Sequence, residues 1–456
     1  MTTYIGTPAD DTYQVVPGDI ILEAPNHGYD SVYVLSSNWT FTLNAGSHVE
    51  LLGVHDEHRT ESINLTGNEL GQYISGNRGK NILDGGGGAD LLYGRFDDDT
   101  YYVDGDDSVI EYFDGNFDIA YARTSWVMTP GAYIEVLATV NNFATTAIDL
   151  TGNELDNYIT GNAGNNTLDG GSGGSDTLWG REGDDSYFVD DVFDSVIETA
   201  GQGYDIVYAR SSFTLAAGLS VEVLATANNL ATTAINLTGN ELDNYITGNA
   251  GNNVLDGGTG SDTLWGREGD DSYFAESNDV VLEYAGQGYD IIYARGNFTL
   301  GVGVAVEVVG TVNNFATNDF ALTGNELANY VSGNAGANTI DGGLGADNLQ
   351  GREGADTFMF STTLGGGNID TILDFGNGAD RMALDDAVFT GLATGALAAG
   401  AFRTGAVAQD ADDRILYDPT NGALYFDADG NGANAAVHFA TLATAPNITA
   451  ADFIVF

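Results

Sequence analysis

The residues with the most evident chemistry are aspartates that end glycine-rich hexapeptides. One hexapeptide reads Gly257-Gly-Thr-Gly-Ser-Asp262, and the next reads Gly266-Arg-Glu-Gly-Asp-Asp271. Glycine supplies the backbone conformations of a tight turn, which other residues adopt only with strain. In such a turn the backbone carbonyls and the final aspartate converge, and two successive turns on one side offer about six oxygen ligands. Because Ca²⁺ takes oxygen ligands in that number, the hexapeptides predict calcium cages between neighbouring turns.

Each hexapeptide belongs to a nonapeptide with the template G-G-x-G-x-D-x-U-x, where U is a large apolar residue. Four consecutive nonapeptides begin at Gly239, Gly248, Gly257 and Gly266. We expect the three residues after the aspartate to form a short strand, with the U side chain pointing inward. The U residues of different copies include Leu92, Leu264, Tyr273 and Leu349. Strands this short must share a core with neighbouring coils, which predicts a solenoid of stacked turns.

A longer period divides the chain into tandem units of about 85 residues. The sequence Leu-Thr-Gly-Asn-Glu-Leu begins at Leu65, Leu150, Leu237 and Leu322. The predicted fold is all-β: a parallel β-roll or β-solenoid of tandem units, followed by a smaller β-rich C-terminal domain. The predicted boundaries are 1–64 for an N-terminal partial unit, 65–149, 150–236 and 237–321 for three full units, 322–360 for a final half-unit, and 361–456 for a C-terminal cap.

Composition limits the possible partners. The 66 Asp and Glu residues outnumber the 13 Lys and Arg residues, and the net charge is −53 at pH 7. A basic surface for nucleic acid, or for an anionic membrane, is therefore excluded. Hydrophobic residues make up 43% of the chain, too many for a disordered acidic tail. Cysteine is absent, so disulfides and thiolate metal sites are excluded, and hard cations with oxygen ligands are favoured.

A second recurring stretch separates the nonapeptide blocks. Residues 198–210 match residues 283–295 almost letter for letter, and residues 111–123 and 23–34 are looser versions. Their β-branched and aromatic runs predict strands, which we interpret as broader coils of the same solenoid. The Glu and Asp residues of these stretches either bind further calcium or are solvated carboxylates at strand ends, and the sequence leaves both readings open.

These nonapeptides resemble the RTX family of secreted calcium-binding β-roll proteins from Gram-negative bacteria. The resemblance implies calcium ligands at the sixth position of eight nonapeptides and at several turn glycines. The implied ligands are Asp90, Asp99, Asp176, Asp185, Asp262, Asp271, Asp347 and Asp356, together with Gly85, Gly87, Gly257 and Gly342. Two turns depart from the template: Asp97 replaces the fourth-position glycine, and the turn from Gly170 to Asp176 has one extra residue.

The nonapeptides that precede these turns carry asparagine at the sixth position. The residues are Asn81, Asn166, Asn253 and Asn338. They are expected either to supply carbonyl ligands or to stack as asparagine turns without metal.

The chain changes character after residue 361, where the nonapeptides end. Residues 412–429 predict a hairpin with a Pro-Thr-Asn-Gly turn. Asp427-Ala-Asp-Gly-Asn-Gly begins like an EF-hand loop, but His438 stands at its twelfth position, so a polar turn is the alternative. The final Asp452-Phe-Ile-Val-Phe456 is similar to the C-terminal signals of type I secretion substrates. This resemblance agrees with the lack of an N-terminal signal peptide pattern and of a membrane-spanning segment.

Sequence patterns for catalysis are weak. Gly170-Gly-Ser172-Gly-Gly formally matches a nucleophile elbow, but it lies inside a predicted calcium turn. His55 and His58 either bind zinc or are exposed loop residues, since they do not form an H-E-x-x-H motif. With 66 carboxylates, pairs of acidic residues carry no specific signal for a glycosidase. We therefore expect a protein that is not an enzyme.

Together these patterns predict a secreted calcium-binding structural protein, exported by type I secretion and located at the cell surface or outside the cell. Nothing in the sequence resembles a capping element at the start of the repeats, and solenoids without caps tend to pair. We therefore expect calcium-dependent self-association into a surface layer or filament. A carbohydrate- or cell-binding adhesin, with a surface polysaccharide as partner, and a secreted enzyme with an unrecognised site are the alternatives.

Overall fold

The structure is a computed structural model that describes residues 1–36 and 38–456. The described residues form 46 short strands and two 3-10 helices, Ala399–Ala401 and Ala450–Asp452. The strands of the first half are β1 Thr3–Ile5, β2 Thr12–Val15, β3 Ile20–Leu22, β4 Ser31–Val34, β5 Thr40–Thr42, β6 Leu51–Val54, β7 Asn64–Thr66, β8 Tyr73–Ser75, β9 Ile82–Asp84, β10 Leu91–Tyr93, β11 Thr100–Val103, β12 Ser108–Ile110, β13 Ile119–Ala122, β14 Trp126–Val127, β15 Val136–Thr139, β16 Leu150–Thr151, β17 Tyr158–Thr160, β18 Thr167–Asp169, β19 Thr177–Trp179, β20 Ser186–Val189, β21 Ser195–Ile197, β22 Ile206–Ala209, β23 Phe213–Thr214 and β24 Val223–Thr226.

The second half of the described chain contains the remaining strands. They are β25 Leu237–Thr238, β26 Tyr245–Thr247, β27 Val254–Asp256, β28 Thr263–Trp265, β29 Ser272–Ala275, β30 Val280–Leu282, β31 Ile291–Ala294, β32 Phe298–Thr299, β33 Val308–Thr311, β34 Ala321–Thr323, β35 Tyr330–Ser332, β36 Thr339–Asp341, β37 Asn348–Gln350, β38 Thr357–Phe360, β39 Asp370–Ile372, β40 Arg381–Leu384, β41 Gly395–Ala396, β42 Phe402–Thr404, β43 Ile415–Asp418, β44 Ala423–Phe426, β45 Val437–Leu442 and β46 Phe453–Val455.

The chain winds as a β-solenoid, because most strands up to β40 pair in parallel with the strand two positions later rather than with the next one. Thus β9 pairs with β11 and β11 with β13, while the intervening even-numbered strands form a separate sheet. One coil therefore consists of two strands and two turns. The predicted all-β solenoid is confirmed, including the broader coils in the stretches between the nonapeptide blocks.

Two compact units are distinguished by their internal contacts. The first comprises residues 1–213 and 218–227, and the second residues 214–217 and 228–456. In the first unit, one sheet has the order β12-β10-β8-β6-β4-β2 and another the order β21-β19-β17-β15-β13-β11-β9-β7-β5. In the second unit, the longest run begins β25-β27-β29-β31-β33-β35-β37-β39. The boundaries predicted from the repeats are finer than this division and stay a prediction.

The core of each unit is a column of apolar side chains, one from each strand. In the second unit Leu255, Tyr273, Ile292 and Val309 stand in register on successive strands, and all four are fully buried. A strand of three or four residues can bury only one or two side chains. Stacking therefore supplies the burial that no single coil could reach alone.

The turns have the conformations that the nonapeptide template requires. Gly258 and Gly260 adopt φ angles of 92° and 132°, in the region that favours glycine. Asp97, which replaces a glycine of the template, also has a positive φ of 71°. The turn geometry is therefore kept at this departure, although an aspartate adopts it with more strain than a glycine does.

The C-terminal part departs from the solenoid. Strands β43 and β44 form the predicted antiparallel hairpin, with Asp418 opposite Ala423. β44 pairs in turn with β45, which continues the parallel sheet by pairing with β39. The end of the chain is ordered as strand β46 beside β40. Within the described residues we find no helix with the length and apolar character to cross a membrane.

Candidate metal centre

All eight sixth-position aspartates are buried and hold the same position in their turns. In each, Oδ1 accepts a hydrogen bond from the backbone N–H of the residue one coil earlier. For example, Asn244 donates to Asp262 at 2.8 Å, and Asn253 donates to Asp271 at 2.6 Å. The other six bonds measure 2.7–2.8 Å, and their acceptors are Asp90, Asp99, Asp176, Asp185, Asp347 and Asp356. One carboxylate oxygen of each aspartate is therefore fixed by the preceding coil.

The second oxygen of each of these aspartates has no hydrogen-bond partner. Oδ2 is buried without a partner in Asp90, Asp99, Asp176, Asp185, Asp262, Asp271, Asp347 and Asp356. A buried carboxylate oxygen that lacks a donor is costly unless a cation or a proton compensates it. The unpaired oxygens coincide with all eight predicted ligands, so these residues fit a bound cation.

The first glycine of each turn lies directly against this free oxygen. A methyl group added to Gly85, Gly257 or Gly342 would overlap Oδ2 of the aspartate in the same turn. The carbonyl oxygens of these three glycines also approach the first glycine of the coil before, so they face the space between coils. A methyl group added to Gly87 would lie 3.8 Å from the Cα of Glu69, in ordinary contact. The assignment of these four glycines as ligands stays a prediction.

A second carboxylate meets each aspartate from the next coil. Asp262 donates its backbone N–H to Oδ1 of Asp279 at 3.0 Å, and Asp356 donates in the same way to Asp380 at 3.0 Å. The same bond joins Asp90 to Asp107, Asp176 to Asp194 and Asp347 to Asp370, at 2.9–3.2 Å. These five partners were not predicted from the sequence, because they follow the template aspartates at irregular spacings. The feature that identifies such a partner is an aspartate placed one coil after the sixth-position aspartate of a nonapeptide.

The other three template aspartates lie in groups of three carboxylates. The groups are Asp99–Glu111–Asp118, Asp185–Glu198–Asp205 and Asp271–Glu283–Asp290, and a similar group joins Asp11, Glu23 and Asp30. Within each group, one ligand atom per residue lies within 4.8 Å of the others. Except for the half-buried Asp11, these side chains are buried. The burial of these residues contradicts the alternative that the Glu and Asp side chains between the nonapeptide blocks are solvated carboxylates at strand ends.

Burial raises the pKa of these carboxyl groups. Desolvation raises the pKa of Asp262 to about 7 and that of Asp99 to about 9, and neighbouring carboxylates add to both shifts. The pKa of Glu283 rises to about 8 for the same reason, against a lowering by its hydrogen bond from Tyr273. A bound cation replaces the missing solvation and keeps these groups ionised.

The side-chain amides of the sixth-position asparagines have hydrogen-bond partners without a metal ion. Oδ1 of Asn253 accepts the backbone N–H of Asn249 at 2.9 Å, and its amide donates to Asn249 Oδ1 at 3.1 Å and to the Ile235 carbonyl at 2.9 Å. Asn81 and Asn166 repeat the pair of bonds. These contacts favour asparagine turns over asparagine ligands.

The two irregular turns keep their carboxylate geometry. Asp99, which follows the Asp97 substitution, accepts from Asn81 at 2.7 Å. Asp176, which follows the extra residue, accepts from Asn157 at 2.8 Å. The added residue is accommodated because Gly173 and Gly174 both adopt positive φ angles.

The remaining candidates do not form comparable sites. Asp429 Oδ2 accepts the backbone N–H groups of Ala433 and Asn434, at 3.0 and 3.2 Å, which favours a polar turn over an EF-hand loop. His55 and His58 are exposed, and no described group of three metal-ligating side chains includes them.

Comparison with known families agrees with this geometry. The RTX calcium-binding nonapeptide repeat, in blocks of four copies, matches residues 66–110, 151–187, 171–196, 238–273 and 323–358. These segments contain all eight template aspartates. None of the curated proteins compared with the chain matches it. The chain therefore carries RTX calcium-binding repeats, which bind calcium and are typical of secreted Gram-negative proteins.

Proposed function

We propose that this chain is a secreted structural protein whose solenoid folds when calcium binds outside the cell, and which then self-assembles on the cell surface or in the extracellular matrix. The observation that carries the proposal is the set of eight buried aspartates, each with one carboxylate oxygen that lacks a partner. At neutral pH, a fold that concentrates buried anions in this way is strongly destabilised unless cations occupy its turns.

The energetics favour folding outside the cell. At a tenfold excess of calcium over Kd, each site stabilises the folded chain by about 1.4 kcal/mol. Eight such sites together match the whole stability of a typical domain, about 5–15 kcal/mol. Extracellular modules commonly bind calcium with Kd values of about 0.1–1 mM. In a calcium-poor cytosol the chain would remain unfolded and suitable for type I export, and it would fold after release.

Assembly is supported by apolar side chains that recur on the surface. Phe143, Leu230 and Phe315 occupy equivalent positions in successive repeats, and they are 90%, 81% and 89% exposed. Single exposed apolar residues are common, but a set repeated at the period of the chain offers equal contacts to other copies. We therefore assign self-association, rather than catalysis, to the repeated surface.

Folding is tested by circular dichroism in calcium and after chelation. We expect the strand signal to appear at millimolar calcium and to disappear with EGTA. An identical strand signal in both conditions would contradict calcium-dependent folding.

Assembly is tested by light scattering of the calcium-loaded protein. We expect large particles, and we expect F143S/L230S/F315S to scatter as a monomer while keeping its strand signal. Val407 is 73% exposed and is not repeated, so V407S serves as the control and should assemble normally.

A wild-type protein that stays monomeric but binds glycans saturably would instead support an adhesin, and turnover of an ester, peptide or polysaccharide would support an enzyme.

A further inference from the structure

The group Asp271–Glu283–Asp290 differs from the paired aspartates of the other turns. Its three side chains are 1%, 2% and 0% exposed, and their ligand atoms lie within 4.8 Å of one another. Three of its oxygens have no hydrogen-bond partner: Oδ2 of Asp271, Oε1 of Glu283 and Oδ2 of Asp290. Three buried like charges at this distance repel strongly unless a cation lies between them.

A tyrosine holds the glutamate of this group. The Tyr273 hydroxyl donates to Oε2 of Glu283 and accepts the backbone N–H of Gly266 at 2.8 Å. The ring itself fills the apolar position of the nonapeptide, where most other copies carry leucine. Its hydroxyl thus leaves Glu283 Oε1 free to face the aspartates.

The same tyrosine and glutamate occur together in earlier repeats. Tyr101 donates to Glu111, and Tyr187 donates to Glu198. In the last nonapeptide block, Phe358 replaces the tyrosine and packs on Phe375, with their ring centroids 6.1 Å apart. No group of three carboxylates occurs there among the residues that the structure describes. The tyrosine hydroxyl is therefore present where the glutamate is present, and is lost with it.

The glutamate enters through a modified turn. Glu283 directly follows β30, at the place where the nonapeptide turns have their first glycine, and residues 283–290 form a turn two residues longer than the hexapeptide. In the hexapeptides a side chain at the first position would overlap the aspartate. The longer turn makes room for a third carboxylate.

We propose that Asp99–Glu111–Asp118, Asp185–Glu198–Asp205 and Asp271–Glu283–Asp290 are a second class of calcium site, with three carboxylates each and a tyrosine that positions the glutamate. We call them the triad sites. Their additional negative charge makes them tighter than the paired-aspartate turns, so they fill first as calcium rises. The inference goes beyond the proposed function, because it holds whether or not the chain self-assembles.

The direct test is to count bound calcium by equilibrium dialysis. We expect E111Q/E198Q/E283Q to fold at saturating calcium, to bind one ion fewer for each altered triad, and to lose most of the tight phase of the binding curve. Glutamine retains the acceptor for the tyrosine but removes the charge. The control is E182Q/E268Q/E353Q, which alters three exposed glutamates at equivalent turn positions and should leave both phases unchanged. A folded triad variant with unchanged ion number and affinity would overturn the inference.

The positioning role of the tyrosine is tested separately. Y101F/Y187F/Y273F keeps the ring, as Phe358 does naturally, and should weaken the tight phase about tenfold or more without changing the strand signal. Tyr121, Tyr208 and Tyr293 lie in the neighbouring coils, outside the triads, so Y121F/Y208F/Y293F should bind calcium as the wild type does. Equal weakening in both variants would show that the hydroxyl has no special role.

If one of these variants fails to fold, the structure of the wild-type protein with calcium provides the test. In a crystal or cryo-EM structure at saturating calcium, we expect an ion between Asp271, Glu283 and Asp290. Ions in the paired-aspartate turns with no density in the triads would overturn the inference while leaving calcium-dependent folding intact.

Discussion

The guanidinium of Arg210 donates to both carboxylate oxygens of Asp169, at 2.7 and 2.6 Å, although the two residues are 41 positions apart. Asp169 ends β18 and Arg210 follows β22, so the pair spans the intervening strand β20. The guanidinium also lies 5.1 Å from the ring centroid of Phe188 on β20. This contact ties a nonapeptide coil to a coil of the stretch that follows it.

We predict that R210A lowers the stability of the calcium-loaded protein by about 1 kcal/mol, because it removes a half-exposed bidentate pair and a cation–π contact. R210K should recover only part of this loss, since lysine cannot form the two parallel hydrogen bonds. Urea unfolding at saturating calcium measures both effects. Arg381 is exposed, and R381A should change the stability by less than about 0.5 kcal/mol. A loss as large in R381A would argue against a specific role for the pair.

The substitution D262N should have opposite effects with and without calcium. Asparagine keeps the oxygen that accepts from Asn244 but removes the buried negative charge. We therefore expect weaker calcium binding and a lower urea midpoint at saturating calcium, but more residual strand signal than the wild type after chelation. Asp243 is exposed, and D243N should leave both the urea midpoint and the residual strand signal nearly unchanged. A D262N variant with a lower urea midpoint in calcium and no more strand signal than the wild type after chelation would show that the carboxylate has only a structural role.

The first glycine of a calcium turn should not tolerate a side chain. In G257A the new methyl group would overlap Oδ2 of Asp262, so we expect a loss of about 1–3 kcal/mol and a weaker response to calcium. Gly296 has no neighbouring atom within 4 Å of an added methyl group, which makes G296A a matched control with little expected effect. Calcium titrations followed by circular dichroism compare the two. Equal midpoints would contradict the close contact between Gly257 and the aspartate.

Protons should partly replace calcium. Burial raises the pKa of Asp262 and of Asp271 from 3.8 to about 7, so the folded calcium-free chain binds protons that the unfolded chain releases. The contribution of these two groups to the stability of the calcium-free chain is therefore fully present below about pH 4 and is lost as the pH rises through 7. We expect calcium-stripped protein to show more strand signal at pH 5 than at pH 8. Calcium affinity should change in the opposite sense and be weaker at pH 6 than at pH 8, because protons compete for the ligands.

The repeats allowed much of the site to be predicted from the sequence. The nine-residue period fixed which aspartates share a position, and all eight prove to be buried with one unpaired oxygen. The apolar residue two positions later, such as Leu264, predicted the inward side of each strand, and it is fully buried. Local patterns of this kind are readable because the turn and the strand lie within one nonapeptide.

What lies outside the nonapeptides depended on the tertiary structure. Asp279 and Asp290 follow turns of different length, so no fixed spacing identifies them as neighbours of Asp262 and Asp271. Arg210 and Asp169 meet across the intervening strand β20 in the same way. Residue types and their period thus determined the solenoid and its calcium turns. The stacking of coils alone decided which carboxylates lie close together, because parallel strands in register bring together residues that the sequence separates by a whole coil or more.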